Sequence, residues 1–110
     1  MNNLGVEGER MAKEFLVKNK YKILETNYST QYGEIDIIAK YKKTIVFVEV
    51  KHRHTTQFGL PRESVTTYKQ NKIRQVALAY LQSNNCLNSR IRFDVIDILG
   101  TEITHITDAF

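Results

Sequence analysis

Apolar residues recur along this chain first at helical spacing, then in alternation, then at helical spacing again. From about Val6 to Lys18, residues Ala12, Phe15 and Leu16 fall on one helical face, with Gly5 and Gly8 on the same side. This predicts a helix whose small residues let it sit close to its neighbour. Glu9 projects onto the edge of that face, and a carboxylate covered there requires a partner or a metal. After a turn at Lys18-Asn19-Lys20, the pattern predicts a strand over Tyr21 to Tyr28, a polar turn over Ser29 to Tyr32, and a second strand from Glu34 to Ala39 opened by Gly33. Tyr41-Lys42-Lys43 reads as a hairpin connection into a third strand, Thr44 to Lys51. Ile45, Val46, Phe47, Val48 and Val50 leave that strand apolar on both faces until its end, as in a sheet covered on both sides.

A polar stretch from His52 to Glu63 follows, punctuated by Gly59 and Pro61. Thr66 is placed to cap a second helix from about Thr67 to Ser83, with Ile73, Val76, Ala77, Tyr80 and Leu81 as its inner stripe. Arg90 to Leu99 and Glu102 to Ile106 complete the chain as two strands joined around Gly100. The order α-β-β-β-α-β-β predicts an α/β fold, a mixed β-sheet flanked by helices. At 110 residues, one domain over 1–110 is expected.

Strand parity locates the chemistry. Glu49 and Lys51 share a face with Ile45 and Phe47, while Val46, Val48 and Val50 take the other. In the second strand Glu34 and Asp36 share a face, opposite Ile35, Ile37 and Ala39. A hairpin symmetric about Lys42 and Lys43 sets Asp36 across from Glu49. Two carboxylates and an amine at the end of a buried sheet are costly unless a ligand uses them. Carboxylate oxygens suit Mg²⁺ (or Mn²⁺), which keeps waters and accepts a phosphate oxygen. Such an ion stabilises charge on phosphorus and acidifies a bound water, and a lysine beside it steadies the hydroxide or the transition state. These residue types match phosphodiester hydrolysis, with Asp36 and Glu49 as metal ligands and Lys51 as the assisting cation. A solvated ion pair of Glu49 and Lys51 at a strand end is the alternative.

Charge adds a modest lean. Sixteen Lys and Arg against twelve Asp and Glu give +4, which favours a polyanionic partner such as nucleic acid. Lys40, Lys42, Lys43, His52, Arg53, His54 and Arg62 form a basic run around the motif, suited either to a phosphate backbone or to solvent. Lys69 and Gln70 flank the inner stripe of the second helix, so its first turn is either a solvated start or a contributor to the same site, with Gln70 orienting water or phosphate. Asp94 and Asp97 read as structural. The single cysteine, Cys86, excludes an internal disulfide, and no apolar run approaches a membrane span or a signal peptide, so a soluble cytoplasmic protein is expected.

Gly33-Glu34-Ile35-Asp36-Ile37-Ile38-Ala39 followed by Val46-Phe47-Val48-Glu49-Val50-Lys51 resembles the YraN-like family of small bacterial proteins. That family is placed in the PD-(D/E)xK nuclease superfamily, near archaeal Holliday junction resolvases. The resemblance extends through Gly8-Glu9, Phe58-Gly59 with Pro61, Val65-Thr66, Lys69-Gln70, Ala79-Tyr80-Leu81 and Arg92-Phe93-Asp94-Val95. It departs at His52-Arg53-His54, where the family more often shows Thr-Arg. It implies a restriction-endonuclease-like fold, a metal held by Asp36 and Glu49, catalysis assisted by Lys51, a further acid from Glu9, and a homodimer. The expected function is a metal-dependent endonuclease acting on DNA, on branched or flapped structures. Gln70 joins the catalytic set, and Lys69, Arg53 and His52 are the expected nucleic-acid contacts. A binding module that keeps the nuclease fold without its activity is the alternative.

Overall fold

The computed structural model describes residues 4–54 and 65–110. Its elements are α1 (Leu4–Lys18), β1 (Lys22–Thr30), β2 (Gly33–Tyr41), β3 (Thr44–Arg53), α2 (Thr67–Ser83), β4 (Arg90–Leu99) and β5 (Glu102–Ile106). The five strands form one mixed sheet in the order β1-β2-β3-β4-β5. The β3/β4 pair is parallel and the other three are antiparallel. A parallel pair requires a crossover, and α2 lies on that connection. Thr66 caps α2 as expected, its hydroxyl accepting from the Lys69 amide at 3.2 Å.

The double apolar character of β3 has a direct outcome. Ile45 and Phe47 pack with Ile73, Val76, Ala77, Tyr80 and Leu81 of α2, while Val46 and Val48 pack with Ala12 and Leu16 of α1. One helix therefore covers each face of the sheet. Among the described residues no helix is long and apolar enough to cross a membrane.

Several expectations need correction, among them the end of β3, which runs on through His52 and Arg53. Ser29 and Thr30 belong to β1, so the turn is only Gln31-Tyr32; Tyr41 likewise belongs to β2, leaving Lys42-Lys43 as the hairpin turn. Lys42 takes a left-handed φ of 55° to close it. Ile35 does not share a side with Ile37 and Ala39. It packs with Ile38 in the α2 cluster, while Ile37 and Ala39 pack in the α1 cluster. The reason is visible in the pairing: β2 pairs with β3 only from Tyr41↔Thr44 to Ile37↔Val48, whereas it stays paired with β1 down to Gly33. Released from β3, the strand's faces are no longer locked to the two layers. Phe58, Gly59, Pro61 and Arg62 lie outside the described residues.

Buried charges on β4 are matched by partners. Asp94 is 0% exposed and accepts from Arg92 (2.8 Å), from the Asp108 amide (3.0 Å), and pairs with His105 Nε2 at 2.7 Å. Arg92 also donates to the Tyr21 hydroxyl at 2.6 Å.

Helix α1 sits against β3 through Gly8, where an added Cβ would lie 2.6 Å from the Cβ of His52. Gly8→Ala is expected to destabilise the protein by about 1–3 kcal/mol, although alanine raises helix propensity. The contact is with His52 Cβ, so His52→Gly in the same chain relieves part of the loss. Urea midpoints of the two single variants and the double variant test this, and a coupling of zero refutes the close contact.

Candidate active site

The site forms where β2 leaves β3. The hairpin register is symmetric about Lys42 and Lys43, and one step beyond Ile37↔Val48 brings Asp36 across from Glu49. There the Asp36 carboxylate accepts the Val50 amide at 2.8 Å, so a side chain takes a donor that the separated strand no longer reaches. Glu49, 5% exposed, is the last deeply buried residue of β3. Two residues further, on the same face, Lys51 Nζ stands 3.9 Å from Glu49 Oε2. From the first turn of α2, the Lys69 ammonium lies directly against that same oxygen. The structure thus gathers Asp36, Glu49, Lys51 and Lys69 from three elements.

Their ionisation reflects this crowding. Burial, then the adjacent Glu49 carboxylate, push Asp36 up to about 8, against the opposing effect of the Val50 amide. Burial, together with the nearby Lys69 ammonium, lowers Lys51. Burial alone would lower Lys69 too, but its contact with Glu49 outweighs it and holds the ammonium above the usual range.

Glu9 approaches Asp36 from α1. Its Oε2 accepts from Asn27 Nδ2 at 2.9 Å; Asn27 also donates to Glu34 at 3.3 Å, and Ser29 donates to Glu34 at 3.0 Å. Asn27 adopts a left-handed φ of 50° within β1. Glu9, Arg10, Lys13, Asn27, Asp36 and Val50 are among the residues lining an open hollow of about 580 Å³. Asn27 carries no signal in the sequence, where it is one polar position in a strand.

The remaining sequence-predicted residues are engaged elsewhere. Gln70 Nε2 donates to the Val65 carbonyl at 3.0 Å, which fastens the approach to α2. Arg53, 18% exposed, forks onto buried Asp97 at 3.0 and 3.4 Å. His52 Nε2 stands 3.1 Å from the Gly100 carbonyl, and its Cβ faces Gly8. Arg74 is exposed and lies over the rings of Phe93 and Phe110 at 5.2 and 5.3 Å.

The donor set suits a hard divalent cation. Two adjacent carboxyl groups repel each other in a buried setting, and a cation between them removes the penalty that raises Asp36. Among the described residues no three His, Cys, Asp or Glu side chains converge into a complete cage. Mg²⁺ needs none, because one or two carboxylates, waters and a substrate phosphate complete its shell.

Fold and site together define an α/β protein with an acid pair and a lysine pair at the exit of its central strand. Residues 8–98 match the family described as Uncharacterised protein family UPF0102. The chain is 49% identical to a UPF0102 protein of Clostridioides difficile over the whole of both chains. It is 46% identical to one of Caldanaerobacter subterraneus subsp. tengcongensis, covering 97% of this chain and 93% of that protein. With one of Geobacter sulfurreducens the identity is 44%, over 97% and 88%. The chain belongs to the UPF0102 family.

Asp36 gives a pH prediction. Its folded value lies above its ordinary value of 3.8, so the native state binds the extra proton and stability falls as pH rises from about 4 through about 8. In metal-free buffer Asp36→Asn is expected to flatten that slope by up to about 1.4 kcal/mol per pH unit. Urea unfolding at pH 5 and pH 8 measures it; equal slopes in both proteins refute the raised carboxyl.

Proposed function

We propose that this protein is a metal-dependent endonuclease of the PD-(D/E)xK type, built on a restriction-endonuclease-like fold and hydrolysing phosphodiester bonds in cytoplasmic DNA. The observation that carries this reading is the convergence of Asp36, Glu49 and Lys51 where β2 parts from β3. Asp36 and Glu49 would hold Mg²⁺ or Mn²⁺. When bound, the ion supplies a Lewis acid for the phosphoryl oxygen and lowers the pKa of a water.

The chain's own residues do the rest. The Val50 amide, donating to Asp36 at 2.8 Å, would keep its carboxylate oriented towards a bound ion. Lys51, on the same face as Glu49, directs its ammonium at the charge that develops on phosphorus. Glu9, hydrogen-bonded by Asn27, adds a carboxylate across the hollow from Asp36. Lys69 brings a second cation to the mouth of the site. Arg53 and His52 are held by Asp97 and Gly100, which favours Lys51 and Lys69 as the phosphate contacts. The chain carries no recognition-helix motif, so branched or flapped DNA is the proposed substrate class, bound by a homodimer.

Labelled linear, flapped, single-stranded and four-way-junction DNA with Mg²⁺ or Mn²⁺ is the test. Cleavage is expected on a branched substrate, reduced at least about 100-fold by Asp36→Ala or Glu49→Ala, beyond the loss typical of outer-shell partners. Cleavage that persists in both variants, or none with any substrate, sinks the nuclease assignment. DNA binding without cleavage would instead indicate a binding module on the same fold.

A further inference from the structure

Lys69 occupies a position that helix physics disfavours. It stands in the first turn of α2, where the positive end of the helix dipole repels cations, and no acidic residue shares that turn. Its backbone is fixed, since its amide donates to the Thr66 hydroxyl at 3.2 Å. Its side chain is 41% exposed, yet its ammonium reaches inward to Glu49 Oε2. That oxygen is buried, with no fully formed hydrogen bond, and the other ammonium nearby, Lys51, is more distant at 3.9 Å. The carboxylate therefore depends on Lys69 for the close positive charge that its burial demands.

A divalent ion bound to Glu49 would need the same oxygen face. Lys69 and, at 3.9 Å, Lys51 already crowd it, so an ion seated there would meet the repulsion of the nearer ammonium, weakly screened in a buried site. We propose that Lys69 is the resident counter-ion of Glu49 and that a divalent cation loads the site by displacing it. This rests on the reading of Asp36 and Glu49 as metal ligands. The site is thereby kept in charge balance without metal, and its intrinsic affinity for the ion is held down by a built-in competitor. A side chain 41% exposed on a backbone fixed by the Thr66 cap lets the Lys69 ammonium swing towards solvent while α2 stays in place.

Calorimetric titration with Mn²⁺ of the full chain, alone and as variants, tests the idea. Lys69→Met is expected to bind Mn²⁺ at least tenfold more tightly than the parent, equivalent to about 1.4 kcal/mol. Lys72→Met is the control for general charge removal, since its ammonium rests over the Tyr68 ring at 5.5 Å; a change within about twofold is expected there. Unfolding midpoints give a second readout, with Mn²⁺ raising that of Lys69→Met more than that of the parent. If the parent binds Mn²⁺ and Glu49→Gln abolishes it, but Lys69→Met binds no tighter than Lys72→Met, the counter-ion inference is overturned and the metal site stands. If neither the parent nor Lys69→Met binds Mn²⁺, or Asp36→Asn and Glu49→Gln leave binding unchanged, the metal assignment falls and the inference with it.

Discussion

Water reaches neither face of β3 over Ile45 to Val48, and the rest of the molecule follows from that constraint. A strand buried on both sides needs a layer above and below, which α1 and α2 supply. It also needs strands at both edges, and the parallel partner β4 forces the chain through the crossover that carries α2. Polar chemistry can enter such a strand only where its cover ends. Glu49 is that point, and α2 begins beside it, bringing Lys69 to the same place. The close seat of α1, allowed by the missing side chain at Gly8, brings Glu9 to the other side.

Two aspartates in one sheet, Asp94 fully buried and Asp36 half-buried, show how differently burial can be used. Burial alone would raise both. For Asp94, His105, Arg92 and the Asp108 amide outweigh it, and the carboxyl is held below its usual range. For Asp36 a second carboxylate stands where Asp94 has cations, so burial and repulsion act together and the group is pushed up to about 8. The first arrangement is complete in itself and holds β4, β5 and the segment after them together. In the second, burial and repulsion are left uncompensated by any cation as close as those around Asp94.

Asp97 and Arg53 belong with the completed kind. Lys51 and Asp97 are register partners across β3 and β4, yet Asp97 takes the Arg53 fork, leaving Lys51 beside Glu49. The basic residues after the motif therefore divide by partner: Arg53 braces β3 against β4, and His52 braces β3 against the β4–β5 turn and α1.

Much of this was legible in the chain itself because it depends on short-range rules. Helical spacing and the Thr66 cap located α2, a short run apolar on both faces located β3, and a two-residue turn at Lys42-Lys43 set the register that brings Asp36 to Glu49. Gly8 announced a close helix contact without naming His52. What the sequence could not decide were contacts between elements that no local periodicity connects. Lys69 on Glu49, Asn27 on Glu9, Arg53 on Asp97 and Gln70 on the Val65 carbonyl each depend on how the helices lie over the sheet. The side of Ile35 depended on where β2 lets go of β3, a limit set by pairing across strands rather than by alternation within one. The residues alone determined which groups arrive at the end of β3; only the packing of α1 and α2 decided which charges face which, because charge pairing depends on distances that the layers set.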